Sequence, residues 1–425
     1  MSRGGLRDER RAPLRAARRL LASALCATGL LALAPGQGVA SARPQLSVRG
    51  AILVAPATGQ RLLAVHANRT LAIASATKLM TALLTLEHVH HLGAMFTAPN
   101  YYSAATDSQI GLVPGERMSV HDLLLALMLP SADDAAEDLA YTVGHHSVSR
   151  FVGMMNARAR KLGLRHTHYS TPIGLDTPGN YSTAGDLVKL AGYDLEHSPY
   201  FARIVDLRSA VLRSGDHPRY VVNRNVLVGE VPWINGVKTG HTADAGYVLV
   251  ASGHRSGMTL VSAVLGTTSE GERDANTMAL LDYGFANFHP VVPVHAGEVL
   301  ARPAVRERPG HRAAVIAAHR FIRILPRRAR VRVRVQVPRQ LTGPLRRDAQ
   351  VGTATVLADG RPIARVPLVL AHALPAVSAT ALAARTTSKP LMLSVIAIAV
   401  VAAVALAIAT RRRRSRAARS DLEAA

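Results

Sequence analysis

Ala72-Ile73-Ala74-Ser75-Ala76-Thr77-Lys78-Leu79-Met80 is the stretch whose reading decides the rest of the chain. No glycine or proline follows it until Gly93, and apolar residues recur at helical spacing through Leu79, Leu83, Leu84 and Leu86. The spacing predicts the first turns of a helix. On such a helix Ser75 and Lys78 are i,i+3 neighbours on one face. A serine hydroxyl is a weak nucleophile until a base takes its proton. A lysine amine can be that base where burial or a second cation lowers its pKa. A helix N-terminus also favours a forming negative charge. Taken alone, S-x-x-K far more often marks two polar residues at the edge of an amphipathic helix, because four-residue patterns recur by accident.

Composition narrows the field. The 425 residues suffice for two or three compact units and carry a formal net charge of +23. The arginines are clustered: seven in the first nineteen residues, fourteen from Arg302 to Arg347, and six after Thr410. These clusters hold more than the whole excess. The middle of the chain is therefore no basic nucleic-acid binder, and it has no zinc-finger or RNA-binding signature. Cys26 is the single cysteine. If it lies in a cleaved segment, the mature protein has neither thiol chemistry nor a disulfide.

Residues 1–42 read as a secretory signal, with a basic leader from Arg3 to Arg19, an apolar core from Leu20 to Leu33 and a small-residue site at Ala40-Ser41-Ala42. An uncleaved anchor is the competing reading. Leu46 to Val65 predicts a hairpin turned at Pro56-Ala57-Thr58-Gly59. Helices are predicted over Val120 to Met128, with Ser119 as N-cap and Pro130 as terminator, and over Asp133 to Tyr141. Tyr169 to Tyr181, with two prolines and two glycines, reads as a structured loop. Tyr247 to Ala251 and Leu260 to Leu265 read as buried strands, and Thr277 to Phe285 as a helix. Two strands, then helices, then strands and a last helix imply an α+β fold with an antiparallel sheet flanked by helices, over 43–288.

From about residue 289 the character changes. Arg330-Val331-Arg332-Val333-Arg334-Val335 alternates strictly, as a half-buried strand does. Val351 to Val356 and Ile363 to Val369 continue in that style around Asp359-Gly360, so 289–374 reads as a small all-β domain. Its arginine row reads as a solvated strand face, with anionic lipid or wall polymer as the alternative partner. Pro375 to Pro390 reads as a small-residue linker. Leu391 to Thr410 is uncharged and long enough to cross a bilayer core of roughly 30 Å as one helix. The basic residues that follow place 411–425 in the cytoplasm and everything before Leu391 outside it, in a single-pass arrangement. The signal sequence demands the same orientation.

Two more motifs join Ser75 and Lys78. Ser131-Ala132-Asp133 follows Leu129-Pro130 in the break between two helices, and Lys238-Thr239-Gly240 sits at the edge of a predicted strand. S-x-x-K, S-x-N and K-T-G in that order form the signature of penicillin-recognising serine enzymes. The flanks Asp122-Leu123-Leu124, Tyr169 to Asp176, Ser182 to Leu187 and Gly236 to Thr242 resemble low-molecular-mass D-alanyl-D-alanine carboxypeptidases. The resemblance is strong from about 45 to 288 and extends weakly to the β domain. It implies a β-lactamase/transpeptidase-like fold with a helical subdomain.

The resemblance also implies roles. Ser75 would attack the carbonyl between the last two D-alanines of a peptidoglycan stem peptide, with neutral Lys78 taking the hydroxyl proton. The N–H groups of Ser75 and His241 would form the oxyanion hole. Ser131 would relay a proton to the leaving amine, and Lys238 and Thr239 would hold the substrate's carboxylate. Gly240 would let the strand edge come close. Arg224 and Arg273 match positions where the family places supporting arginines, although each reads equally as a surface residue. β-Lactams would acylate Ser75. Nothing in the pattern calls for a cofactor or metal: His88, His90 and His91 lack a carboxylate set beyond Glu87, and Gly111 to Gly115 has no phosphate-loop pattern.

Asp133 departs from the family, which has asparagine there. An amide both accepts and donates, whereas an ionised carboxylate only accepts, and it would also raise the pKa of Lys78. A slower enzyme, or one with altered substrate, is the expectation. The alternatives are a β-lactamase, a D,D-endopeptidase, or a catalytically weak or silent wall-binding protein.

Overall fold

The structure is a computed structural model that describes residues 42–101, 108–306, 308–376 and 379–420. Apart from Ala42, the expected signal segment lies outside the described residues. Among the described residues, one five-stranded antiparallel sheet carries the site. Strands β1 (Gly50–Ala55) and β2 (Gln60–Val65) form the expected hairpin, turned through Gly59 at a φ of 64°. Strands β3 (Ile234–Thr242), β4 (Gly246–Arg255) and β5 (Met258–Thr267) complete it in the order β2-β1-β5-β4-β3. The N-terminal hairpin thus joins the late strands through β1 and β5, from Gly50 opposite Leu265 to Val54 opposite Val261. That leaves β3 as an edge.

Both faces of the sheet are covered, which explains the unbroken apolar runs in its central strands. Val248 and Val250 of β4 join one core, and Leu249 and Ala251 join the other. The first core holds α1 (Lys78–His88), α2 (Val120–Met128), α3 (Asp133–Val143), α4 (Val148–Leu162) and α5 (Ala184–His197). The second lies under α6 (Glu270–Asn287), whose Leu280, Leu281 and Phe285 are buried there. Each such side chain contributes about 1.5–3 kcal/mol. Helices α2, α4, α5 and α6 start where short polar side chains cap them: Ser119, Ser147, Thr183 and Ser269 each accept from a backbone N–H of the first turn.

Three elements differ from their sequence reading. The α-helix after Ala72 begins only at Lys78; Ser75 lies in a 3₁₀ turn, Ala74–Thr77, entered with Ala74 at a φ of 47°. A 3₁₀ turn has three residues per turn, so it eclipses i and i+3 and stacks Ser75 over Lys78. Lys238-Thr239-Gly240 lies within the edge strand β3, not ahead of a strand. The expected linker is helical from Ala379, where α7 (Ala379–Ser420) begins. Its small residues are mostly alanine, the strongest helix former. The apolar part of α7, Leu393–Arg413, has a mean hydropathy of 2.7 and no burial, so by length and composition it can cross a membrane.

The C-terminal β region has its own core. Strands β6 (Val299–Ala301), β7 (Val315–Ala317), β8 (Val331–Gln336), β9 (Gln350–Ala358) and β10 (Arg361–Leu370) form a sheet in the order β6-β7-β10-β9-β8. Val356, Val366 and Leu368 are buried in it, and Val331 and Val333 pack against it from β8. Asp359 and Gly360 turn β9 into β10 with φ values of 49° and 80°. Gln60 ties the two regions, donating to Ile324 O at 2.9 Å and accepting from Ile324 N at 2.7 Å.

A buried ion pair fixes the approach to the site. The Arg219 fork meets both oxygens of Glu116 at 2.8 and 2.9 Å and donates to Ile110 O at 3.0 Å. Burial alone would raise the Glu116 pKa, but the Arg219 hydrogen bonds and the N–H groups of Asp216 and Val113 outweigh it and hold the carboxyl below its usual range. Its stabilisation is therefore complete above the unfolded carboxyl value and is lost as pH falls through the lower folded one. Arg219→Ala leaves the carboxylate buried and unpaired, at an expected cost of about 3–5 kcal/mol. A urea midpoint followed by the fluorescence of Trp233, the single tryptophan, should fall accordingly near neutral pH. An unchanged midpoint would refute the pair's structural weight.

Candidate active site

Lys78 is the centre of the site. It is fully buried, and its Nζ donates to Ser75 Oγ at 3.0 Å, Asp133 Oδ1 at 2.5 Å and Ile173 O at 2.9 Å. Ser75 itself is half-buried and so within reach of a ligand. Asp133 opens α3. The next residue, Asp134, turns elsewhere: its carboxylate accepts from the N–H groups of Ile110, Gly111 and Leu112 at 3.1, 2.9 and 3.0 Å. The two adjacent acids thus have separate tasks, one on the lysine and one on a loop.

Ser131 stands just before α3 with a φ of 70° and is buried, and among the described residues its Oγ has no hydrogen-bond partner. Its neighbour Leu129 accepts from Arg224 N at 3.0 Å, and Asn225 Nδ2 donates to Gly236 O at 3.0 Å. This bridge carries the α2–α3 break to β3. A cleft of about 690 Å³ opens beside it, lined among others by Gln109, Pro130, Tyr220 and Arg224.

On β3, Lys238 and Thr239 are both buried, and Lys238 Nζ donates to Thr239 O at 3.0 Å. Burial pushes the Lys238 amine well below the usual lysine range; the charges of Lys78 and Arg224 add to this, Asp133 opposes it, and Arg273 adds again. The strand edge and the lysine that opens α1 therefore share one electrostatic environment. Gly240 brings the backbones together: a Cβ there would lie 3.0 Å from Ser75 N and 3.2 Å from Ile73 O. His241 is exposed, its ring stacked on Tyr247 with centroids 4.0 Å apart. Arg224 is exposed. Arg273 is not a surface residue: it is 2% exposed, with Nε and Nη2 on Asp274 at 2.9 and 3.1 Å and Nη1 on Glu270 at 3.1 Å.

The loop Tyr169–Tyr181 carries contacts that sequence reasoning left without a role. Besides Ile173 O on Lys78, Pro172 O accepts from Thr81 Oγ1 at 2.7 Å, and Asn180 Nδ2 donates to Thr77 Oγ1 at 3.2 Å. Asp176 clamps the end of β3, accepting from Thr242 Oγ1 at 2.6 Å and Asp244 N at 3.0 Å. Gly174 sits so close that a Cβ would lie 2.1 Å from Ala74 O. The available signal was the loop's irregularity: backbone outside helix and sheet must find other partners, and here it finds the site.

A half-buried serine beside a buried lysine, faced by a strand edge with a second buried lysine, is an arrangement suited to serine-type acyl transfer, carried on a mixed α/β fold with antiparallel sheets. The chain belongs to the D-alanyl-D-alanine carboxypeptidase family, peptidase S11, which it matches over residues 37–269. It is a serine-type hydrolase acting on peptidoglycan. It is 27% identical over 365 residues to D-alanyl-D-alanine carboxypeptidase DacF of Bacillus subtilis, covering 83% of this chain and 93% of that protein. It is 33% identical over 282 residues to D-alanyl-D-alanine carboxypeptidase of Streptomyces sp. strain K15, covering 62% of this chain and 95% of that one. Among solved structures it resembles penicillin binding protein 5 of Haemophilus influenzae, with a TM-score of 0.67, 27% identity, and coverage of 79% of this chain and 99% of that one.

The Gly240 contact leads to a direct test. Gly240→Ala puts a methyl 3.0 Å from Ser75 N and from the Ala74 side chain, so β3 and the turn must part by a few tenths of an ångström. A displacement of about 1 Å costs about a hundredfold in rate, and a smaller one costs less. Release of D-alanine from a D-alanyl-D-alanine peptide should fall several-fold while the Trp233 urea midpoint barely shifts. Full activity would mean that strand and turn are not held in register.

Proposed function

We propose that Ser75 is the nucleophile and Lys78 its general base in removal of the terminal D-alanine from a peptidoglycan stem pentapeptide. The observation that carries this is the 3.0 Å contact of Lys78 Nζ with Ser75 Oγ, made where Gly240 of β3 lies against Ser75 N. The serine oxygen adds to the penultimate carbonyl as its proton passes to neutral Lys78. The negative oxygen forms between the N–H groups of Ser75 and His241, fixed donors for charge that exists only in the transition state. Ser131, whose hydroxyl is unpartnered among the described residues, relays the proton held by Lys78 to the departing amine. D-Alanine leaves, and water then releases the shortened peptide from the ester. Lys238 and Thr239 meet the terminal carboxylate, with Arg224 and Arg273 supporting the field around it.

The same hydroxyl would open a β-lactam, whose ring amide stands in for the scissile bond. Fluorescent penicillin should label the chain stably, and Ser75→Ala should lose both the label and D-alanine release. Labelling that survives in Ser75→Ala sinks the assignment. Rapid turnover of the label would instead favour a β-lactamase.

Asp133 tunes this base. With a carboxylate at 2.5 Å, the charged form of Lys78 is favoured and the neutral base is scarcer. Asp133→Asn keeps the shape and removes the charge, so penicillin acylation should accelerate, by about tenfold for each unit by which the lysine's pKa falls. An equal or slower rate would show that the carboxylate assists the proton transfer.

The proposal extends to the whole chain. Residues 1–42 direct export, 43–288 form the catalytic domain and 289–374 a small β domain. Residues 375–390 connect it to α7, a single-pass anchor. Arg411–Arg414 would hold the tail on the cytoplasmic side, with the catalytic domain on the outer face.

A further inference from the structure

Charge is divided unevenly along the chain. Residues 43–288 hold twenty Lys and Arg against twenty Asp and Glu, whereas residues 289–374 hold sixteen arginines, no lysine and four carboxylates. The arginines are also placed in register. In the β6-β7-β10-β9-β8 sheet, Arg334 lies opposite Thr355, Thr355 opposite Arg365, and Arg332 opposite Leu357. Directly paired residues share a face, so these three arginines share the face turned away from Val356 and Val366. All three are exposed, and none has a carboxylate partner among the described residues.

The same face becomes apolar towards the other edge. Pro367 lies opposite Thr353, Val369 opposite Ile316, and Ile316 opposite Val299, which is 42% exposed. Guanidinium forks beside exposed aliphatic side chains suit a surface of phosphate headgroups over hydrocarbon. Each guanidinium on this face can make a bidentate contact with a phosphate group.

We propose that this face docks on anionic phospholipid headgroups of the membrane in which α7 is anchored. The proposal rests on the reading of α7 as an anchor. Strand β10 ends at Leu370, and the apolar part of α7 begins at Leu393. The helix is already formed from Ala379, so its residues before Leu393 span about 20 Å at 1.5 Å each. The tether keeps the β region close to the headgroups, and each arginine that reaches an anionic surface strengthens the attachment.

The test uses the full chain with Cys26→Ser and Gln336→Cys, carrying a donor fluorophore on the outer face of β8. It is placed in lipid nanodiscs with a headgroup-labelled acceptor, made of phosphatidylcholine alone or with phosphatidylglycerol. Energy transfer should be higher with phosphatidylglycerol and fall back at high salt. Arg332→Gln/Arg334→Gln/Arg365→Gln should lower the docked-to-undocked ratio by roughly a hundredfold, each arginine contributing about fivefold. D-Alanine release in the same discs checks that the variant is folded. Equal transfer in the two lipids, or a triple variant that behaves as the parent, overturns the proposal. So does an equal response in phosphatidylcholine discs to soluble polyphosphate, which would assign the face to a phosphate polymer. Co-purification with phosphatidylcholine discs tests the anchor separately; a chain that fails to co-purify removes the anchor and this proposal with it.

Discussion

A buried ammonium group needs every proton matched by an acceptor, because an uncompensated charge in the interior costs several kcal/mol. Lys78 meets that demand with the three acceptors an ammonium can use: a hydroxyl, a carboxylate and a carbonyl. They come from the 3₁₀ turn, the start of α3 and the loop Tyr169–Tyr181. One side chain therefore ties three distant segments together. The fold around it can be understood as what brings those three within hydrogen-bond distance of one nitrogen.

Each segment is in turn held from behind. Asp134 pins the Ile110–Leu112 backbone beside α3. Asp176 fastens the loop to the end of β3, and Gly174 lets that loop press on Ala74. Gly240 lets β3 come within contact of Ser75 N. The two glycines act by absence, since a side chain at Gly174 would collide with the Ala74 backbone and one at Gly240 would crowd Ser75 N and the Ala74 side chain. The carboxylate at Asp133 is the one member of this arrangement that works against a neutral lysine, and its burial makes the opposition strong.

Electrical organisation follows the same division of labour. The catalytic stretch is balanced in charge, so its local pKa shifts come from burial and specific neighbours rather than from an overall field. The surplus of arginine lies in the β region and at the two ends of the chain. The sheet of the catalytic stretch is covered on both faces and has no comparable free surface, while the C-terminal sheet covers only one.

Much of this was legible beforehand. The hairpin at Gly59, helix α2 with its Ser119 cap, the central strands, the alternation in β8 and the apolar part of α7 follow from local periodicity and turn chemistry. The ordered motifs named Ser75, Lys78, Ser131, Lys238 and Thr239 as candidates, because their spacing and flanks survive without any knowledge of distance. Local pattern could not show that Ser75 stands in a 3₁₀ turn, that Arg273 is buried between two carboxylates, or that Ile173 and Asp176 belong to the site. The motif placed Asp133 rather than Asp134 beside the lysine but did not show why its neighbour stays away: the helix start aims one acid inward and the other at a loop. Chain chemistry supplied the inventory of reactive groups; only the packing of β3, the 3₁₀ turn and the loop against one another decided which of them share a proton, because hydrogen bonds depend on separations of a few ångströms between residues up to a hundred positions apart.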